Sequence, residues 1–257
     1  MKPETYRYPN LETLSRAAAE YICDLAEESV QQQGGFSIAL AGGHTPKSLY
    51  ENLARHPIEA RMPWPKIHVF WGDERCVPPD HPDSNYRMAS FALISQVPIP
   101  PQNVHRIPVD KGSPEQAAEG YEKVLREFFG HSIEGNAPER PSAGNRQFTP
   151  LDLILLGIGK DGHTASLFPG DALLEEKDRW VASVGIPRGS PPVPRVTMTL
   201  PMINRARRVM FLASGVEKRD VVSSILNDPN KARRLYPAAR IQPQGKLVWF
   251  LDDETLG

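Results

Sequence analysis

A chain of 257 residues with 24% charged and 40% apolar side chains is long enough to bury a sizeable core. Its formal net charge of -1 leaves no global field to draw it to nucleic acid or an anionic membrane. The start MKPETYRYPN lacks an apolar signal core, no apolar run reaches the ~20 residues of a membrane helix, and two distant cysteines, Cys23 and Cys76, suit a reducing compartment, so a cytoplasmic protein is expected.

In chain order, residues 11–33 place Leu14, Ala18, Tyr21, Ile22, Leu25 and Ala26 at helical spacing, with Gly34-Gly35 as the stop. FSIALAGG (36–43) reads as a short buried strand. HTPKSLYENLARH (44–56) reads as a helix with Thr45 as N-cap and Pro46 at its first position. KIHVFWGDE (66–74) is a second strand, and 81–97 a capped helix. Residues 113–129 form a stronger helix with Ala117, Tyr121, Val124, Leu125 and Phe128 on one face.

Residues 130–149, rich in Gly, Pro and Asn, read as a mobile surface loop. LDLILLGIG (151–159) is a third strand. Shorter strands follow at 180–185, 195–200 and 208–214, then a helix at 216–226 and a strand at 247–253. Strands alternating with helices, without a repeat or a convincing linker, predict a single α/β domain over 1–257, Rossmann-like, with a mainly parallel sheet flanked by helices.

In such a sheet, ligands bind beyond the carboxyl ends of the strands. Distinctive polar residues follow four of these strands: AGGHTPKS, GDERCVPPDHPDSN, GIGKDGH and GVEKRD. The first places glycines at a helix N-terminus, which suits a phosphate monoester or simply makes a tight turn. In the second, Asp73 and Glu74 read as solvated loop charges. Arg75 either pairs with one of them or offers its planar fork to phosphate oxygens. Lys218 is a surface lysine or an anion contact.

Asp161 and His163 form the sharpest pair. Histidine as a residue type titrates near pH ~6.5, which suits proton transfer at neutral pH; the alternative is a solvated loop tip. The histidines show no metal-ligand spacing, and neither a nucleophile elbow nor a phosphate-binding Walker loop is present.

Taken together, SIALAGGHTPKSLY, VFWGDERCVPPDHPDSN, LDLILLGIGKDGHTASLFPG, RVTMTLP and FLASGVEKRDVV resemble the 6-phosphogluconolactonase family over nearly the whole chain. The resemblance implies the fold shared with glucosamine-6-phosphate deaminases and ribose-5-phosphate isomerases. It also implies hydrolysis of 6-phosphoglucono-δ-lactone in the oxidative pentose phosphate pathway, without metal or coenzyme. It makes His163 the base that activates water, with Asp161 beside it to orient the ring or bind substrate.

The same resemblance puts Gly42, Gly43, His44 and Thr45 in a phosphate loop and gives Arg75, Arg195 and Lys218 cationic contacts. Ala41 and His44 depart from the family's usual serines. A sugar-phosphate lactone is the implied partner, of a monomer or weak homo-oligomer. The rivals are a sugar-phosphate deaminase or isomerase and a non-catalytic sensor. Deaminase-like relatives carry a glutamate before the proline of this turn, where Phe168 stands here.

Overall fold

The computed structural model describes residues 3–129, 151–187 and 191–257, so the loop expected at 130–149 lies outside the described residues. The strands are β1 (Glu4–Tyr8), β2 (Phe36–Leu40), β3 (Ile67–Trp71), β4 (Asp73–Arg75), β5 (Leu153–Leu156), β6 (Val181–Val184), β7 (Arg195–Met198), β8 (Arg208–Ala213) and β9 (Lys246–Asp252). The longer helices are α1 (Leu11–Gln33), α2 (His44–Leu53), α3 (Asn85–Ala92), α4 (Pro114–Phe129) and α5 (Arg219–Asn227).

β2 and β5 are apolar or small throughout and fully buried, which is how a strand reads when helices cover both faces. They sit centrally in a six-stranded sheet of order β1-β9-β8-β5-β2-β3, in which every pairing is parallel. From β2 the chain goes to β3 on one side, then crosses to β5 on the other. That reversal opens a crevice beyond the carboxyl ends of β2 and β5.

α1 lays Leu14, Ala18, Ile22, Cys23 and Ala26 against the core, with Asn10 as its N-cap and Gly34 closing it at φ 82°. Burying each large aliphatic side chain of this kind contributes about 1.5–3 kcal/mol. α4 buries Ala117, Ala118, Tyr121, Leu125 and Phe129, while Val124 and Phe128 pack against the core only in part.

Four expectations need correction. The segment 66–74 is two strands: after Trp71, the Gly72 N–H donates to the Leu40 carbonyl in the large sheet while the Gly72 carbonyl accepts from Met198 N–H. The chain thus leaves one sheet and enters another. The second sheet, antiparallel and of order β4-β7-β6, takes up the stretches expected at 180–185 and 195–200. The helix at 81–97 is shorter, capped by Ser84 and over by Ala92. Finally, α2 starts at His44 with Gly43 as N-cap, so Thr45 is inside the helix. β1, a short edge strand of partly exposed residues, was not anticipated.

Candidate active site

The carboxyl ends of β2, β3, β5 and β8 converge on one cleft of about 180 Å³. Its lining includes Gly42, Gly43, His44, Thr45, Arg75, His163, Arg195 and Lys218, together with Asp73, Asn85 and Ala165. Of the catalytic and phosphate-binding candidates read from the sequence, Asp161 is the one missing from that wall.

At the end of β2, the fully buried Tyr50 hydroxyl accepts from the Ala41 N–H and donates to the Ala41 carbonyl, both at 2.8 Å. This pair of bonds replaces the ladder partners that the chain loses as it leaves the sheet. Gly43, at φ 104°, then starts α2 with no side-chain cap. The first N–H groups of a helix have no intrahelical acceptor, so this end presents donors and the positive end of a helix dipole to the cleft.

After β5 the chain turns through Gly159, Asp161, Gly162 and His163. Gly159 N–H donates to the His163 carbonyl, and Gly162 N–H to the Gly159 carbonyl. A Cβ on Gly159 would lie 2.2 Å from His163 Nδ1 and Cε1, so only glycine lets the imidazole edge settle there. Gly162 adopts φ 80° and lies against the Tyr236 ring, so a side chain would be both strained and obstructed.

His163 Nδ1 is 2.5 Å from Asp161 Oδ1. A carboxylate only accepts, so Nδ1 is the donor in this bond and Nε2 is the ring nitrogen it leaves unengaged. Burial opposes ionisation of Asp161, but the neighbouring imidazole and the His163 N–H outweigh it and hold the carboxyl below its ordinary range. The aspartate therefore braces the ring from behind. The ring itself is about one-third exposed, open to a small molecule in the cleft.

Asp73 and Glu74 are buried, contrary to their expected role as solvated charges. Glu74 accepts from the N–H groups of Arg75, Asn85 and Tyr86 and from Ser84 Oγ, fastening the start of α3 to β4. Burial nonetheless pushes its carboxyl upward in pKa, against those donors. Asp73 accepts from Asn85 Nδ2 at 3.1 Å and from Ser166 Oγ at 2.6 Å, joining β4 to α3 and to the loop after β5. The roles of Asp73, Asn85 and Ser166 escaped sequence reasoning; the nearest signal was an acidic pair at the end of an apolar strand.

Arg75 and Arg195 are directly paired across β4 and β7. Arg75 Nη1 donates to the Asp83 carbonyl, Arg195 Nη2 to the Pro191 carbonyl, and the buried Arg75 Nε has no hydrogen-bond partner among the described residues. Burial, then the nearby Arg75 charge, lowers the pKa of Arg195. Burial likewise lowers that of Lys218, whose Nζ donates to the Ser214 carbonyl. Carboxylates offset these charges only in part: Asp73 and Asp83 act on Arg195, and Glu217, 3.8 Å away, and the buried Asp252 act on Lys218. An anion entering the cleft would relieve both the desolvation and the repulsion.

Comparison with known proteins decides the family. A family model described as glucosamine-6-phosphate isomerases/6-phosphogluconolactonase matches residues 9–249. The chain belongs to this family. It is 44% identical to a protein named 6-phosphogluconolactonase from Synechocystis sp. over 99% of this chain and 98% of the relative. A relative of the same name from Nostoc sp. is 42% identical over 98% and 96%.

Solved structures show the family fold. That of 6-phosphogluconolactonase from Trypanosoma cruzi superposes with a TM-score of 0.83 at 32% identity, covering 99% of this chain and 96% of that one. A monomeric glucosamine-6-phosphate deaminase shares the fold with a TM-score of 0.79 at 20% identity, covering 98% of each chain.

Proposed function

We propose that this protein is a 6-phosphogluconolactonase, hydrolysing 6-phosphoglucono-δ-lactone to 6-phosphogluconate. Whole-length identity to relatives of that name supports the reaction. The observation that carries the mechanism is the His163–Asp161 pair, its free nitrogen belonging to a ring on the wall of a cleft with three cationic side chains.

His163 Nε2 takes a proton from water as the water oxygen attacks C1 of the lactone. Asp161 stabilises the resulting imidazolium without itself accepting the proton. As the tetrahedral intermediate collapses, the C1–O bond of the ring breaks and the imidazolium gives its proton to the departing ring oxygen. One water is consumed, and the catalyst is restored. The phosphate, distant from C1, is held by Arg195, Lys218, Arg75 and the N–H groups of Gly43, His44 and Thr45, which contributes through positioning. Ala41 and His44 supply no hydroxyl, so the loop offers chiefly its amides to the ligand.

A deaminase reading is disfavoured because Phe168, in the turn after His163, offers no acid or base for ring opening. No described helix is long and apolar enough to cross a membrane. The expected setting is the cytoplasm, and the expected state a monomer or weak homo-oligomer.

The deciding experiment uses freshly generated lactone with spontaneous hydrolysis subtracted. Wild-type turnover is expected, with His163→Ala slower by about 10²–10⁴-fold while still binding 6-phosphogluconate. A His163→Ala enzyme of near-normal rate removes the base assignment.

A further inference from the structure

The in-plane edge of the His163 ring is well fixed: Asp161 holds Nδ1, and Gly159 lies against Nδ1 and Cε1. Those contacts leave the tilt of the ring about the Nδ1–Oδ1 line unset. A contact on the ring face has to supply it.

Phe168 makes that contact. Its centroid is 4.9 Å from that of the imidazole, with the planes inclined by 35°. The Arg195 guanidinium carbon lies 5.7 Å from the same centroid. One half-buried ring thus touches the imidazole on the loop after β5 and the guanidinium on β7, in the other sheet. Its own backbone is anchored, with its carbonyl accepting from Asp171 N–H and a reciprocal Thr164–Leu167 pair just before it.

We infer that Phe168 is a positioning residue, whose aromatic face sets the tilt of the His163 imidazole and its spacing from the Arg195 guanidinium. The inference rests on the hydrolase reading above. The face of an aromatic ring is electron-rich, so it attracts a guanidinium and accepts a tilted heteroaromatic neighbour, which an aliphatic side chain of similar bulk does not. The ring contributes no proton and touches no reacting atom. It fixes where the proton acceptor stands relative to the group that holds the distant phosphate.

The test compares Phe168→Tyr and Phe168→Leu on the phosphorylated lactone and on unphosphorylated gluconolactone. Phe168→Tyr is expected to stay within about threefold of wild type. Phe168→Leu is expected to lose about tenfold or more in kcat on both substrates through misplacement of the base. Its KM should rise only on the phosphorylated one. A structure of Phe168→Leu should show the imidazole tilted away from its wild-type plane.

A folded Phe168→Leu with wild-type kinetics, or Phe168→Tyr as impaired as Phe168→Leu, overturns the inference and leaves the hydrolase reading standing. A wild-type control without turnover takes both down.

Discussion

At the scale of single residues, the aspartate and the histidine of the turn GIGKDGH have different explanations. His163 lines the cleft, and Asp161 braces it from behind. Replacing Gly159 by Ala puts a methyl where the imidazole edge lies, so kcat is expected to fall at least tenfold, with little change in KM, through displacement of the base. Steady-state kinetics read this directly.

Lys218 carries a pH prediction. Its pKa is lowered by burial, and in the proposed phosphate contact only its ammonium form would serve. Affinity for 6-phosphogluconate should therefore be full at neutral pH and weaken as pH rises through that lowered value. In Lys218→Arg, charged throughout, the alkaline loss should move to higher pH. Titration calorimetry between pH 7 and 10 checks it; coincident profiles for the two proteins would remove the lysine from the site.

At the scale of elements, the loops are set by buried polar bolts at the strand ends. Asp252, at the end of β9, accepts from Ser214 Oγ, the Gly215 N–H and Thr255, and so fixes the turn that delivers Lys218. Burial opposes its charge, but these donors prevail and its pKa is depressed. A depressed acid stabilises the fold above its unfolded pKa of ~3.9, and that contribution disappears as pH falls through the folded value. The stability gap between wild type and Asp252→Asn should hence be open at pH 7 and close in strong acid, as urea melts at several pH values would show.

Tyr50→Phe leaves both backbone groups of Ala41 without their buried partner. It is expected to cost about 1–3 kcal/mol and to raise KM through the loosened β2–α2 turn. Melting and kinetics on the same preparation check both effects.

What could be read beforehand follows from how local each signal is. β2 and β5 are buried throughout, so their sequences are plainly apolar and their polar successors stand out. β1 is short, charged and at an edge, where burial imposes little pattern. The Asp73–Ser166 bond spans 93 residues, and nothing in either neighbourhood encodes it. Gly72 is silent for a related reason: handing the chain from one sheet to the other depends on Leu40 and Met198, both distant in sequence.

At the scale of the whole molecule, the two sheets divide the labour. The parallel sheet brings the glycine turn, the imidazole and Lys218 to one edge, while the small antiparallel sheet adds Arg75 and Arg195 from the side. Ligand binding to such a cleft must be felt by the entire fold. At 100 times its Kd, 6-phosphogluconate should add about 2.7 kcal/mol to stability, or roughly 5–10 °C in Tm for a chain of this size. Arg195→Met should lose most of that increment at the same ligand concentration, and thermal scans compare the two.

The cross-strand pairing of Arg75 with Arg195 also bears on how the protein is handled. Under the proposed role of these two arginines at the phosphate, inorganic phosphate and sulfate are expected to compete with substrate at its anionic end. Apparent KM should climb linearly with phosphate concentration at constant ionic strength while kcat stays fixed. Rates recorded in a phosphate buffer would then report a contest for the arginines, and an amine or zwitterionic buffer is the medium in which the protein's own affinity can be measured.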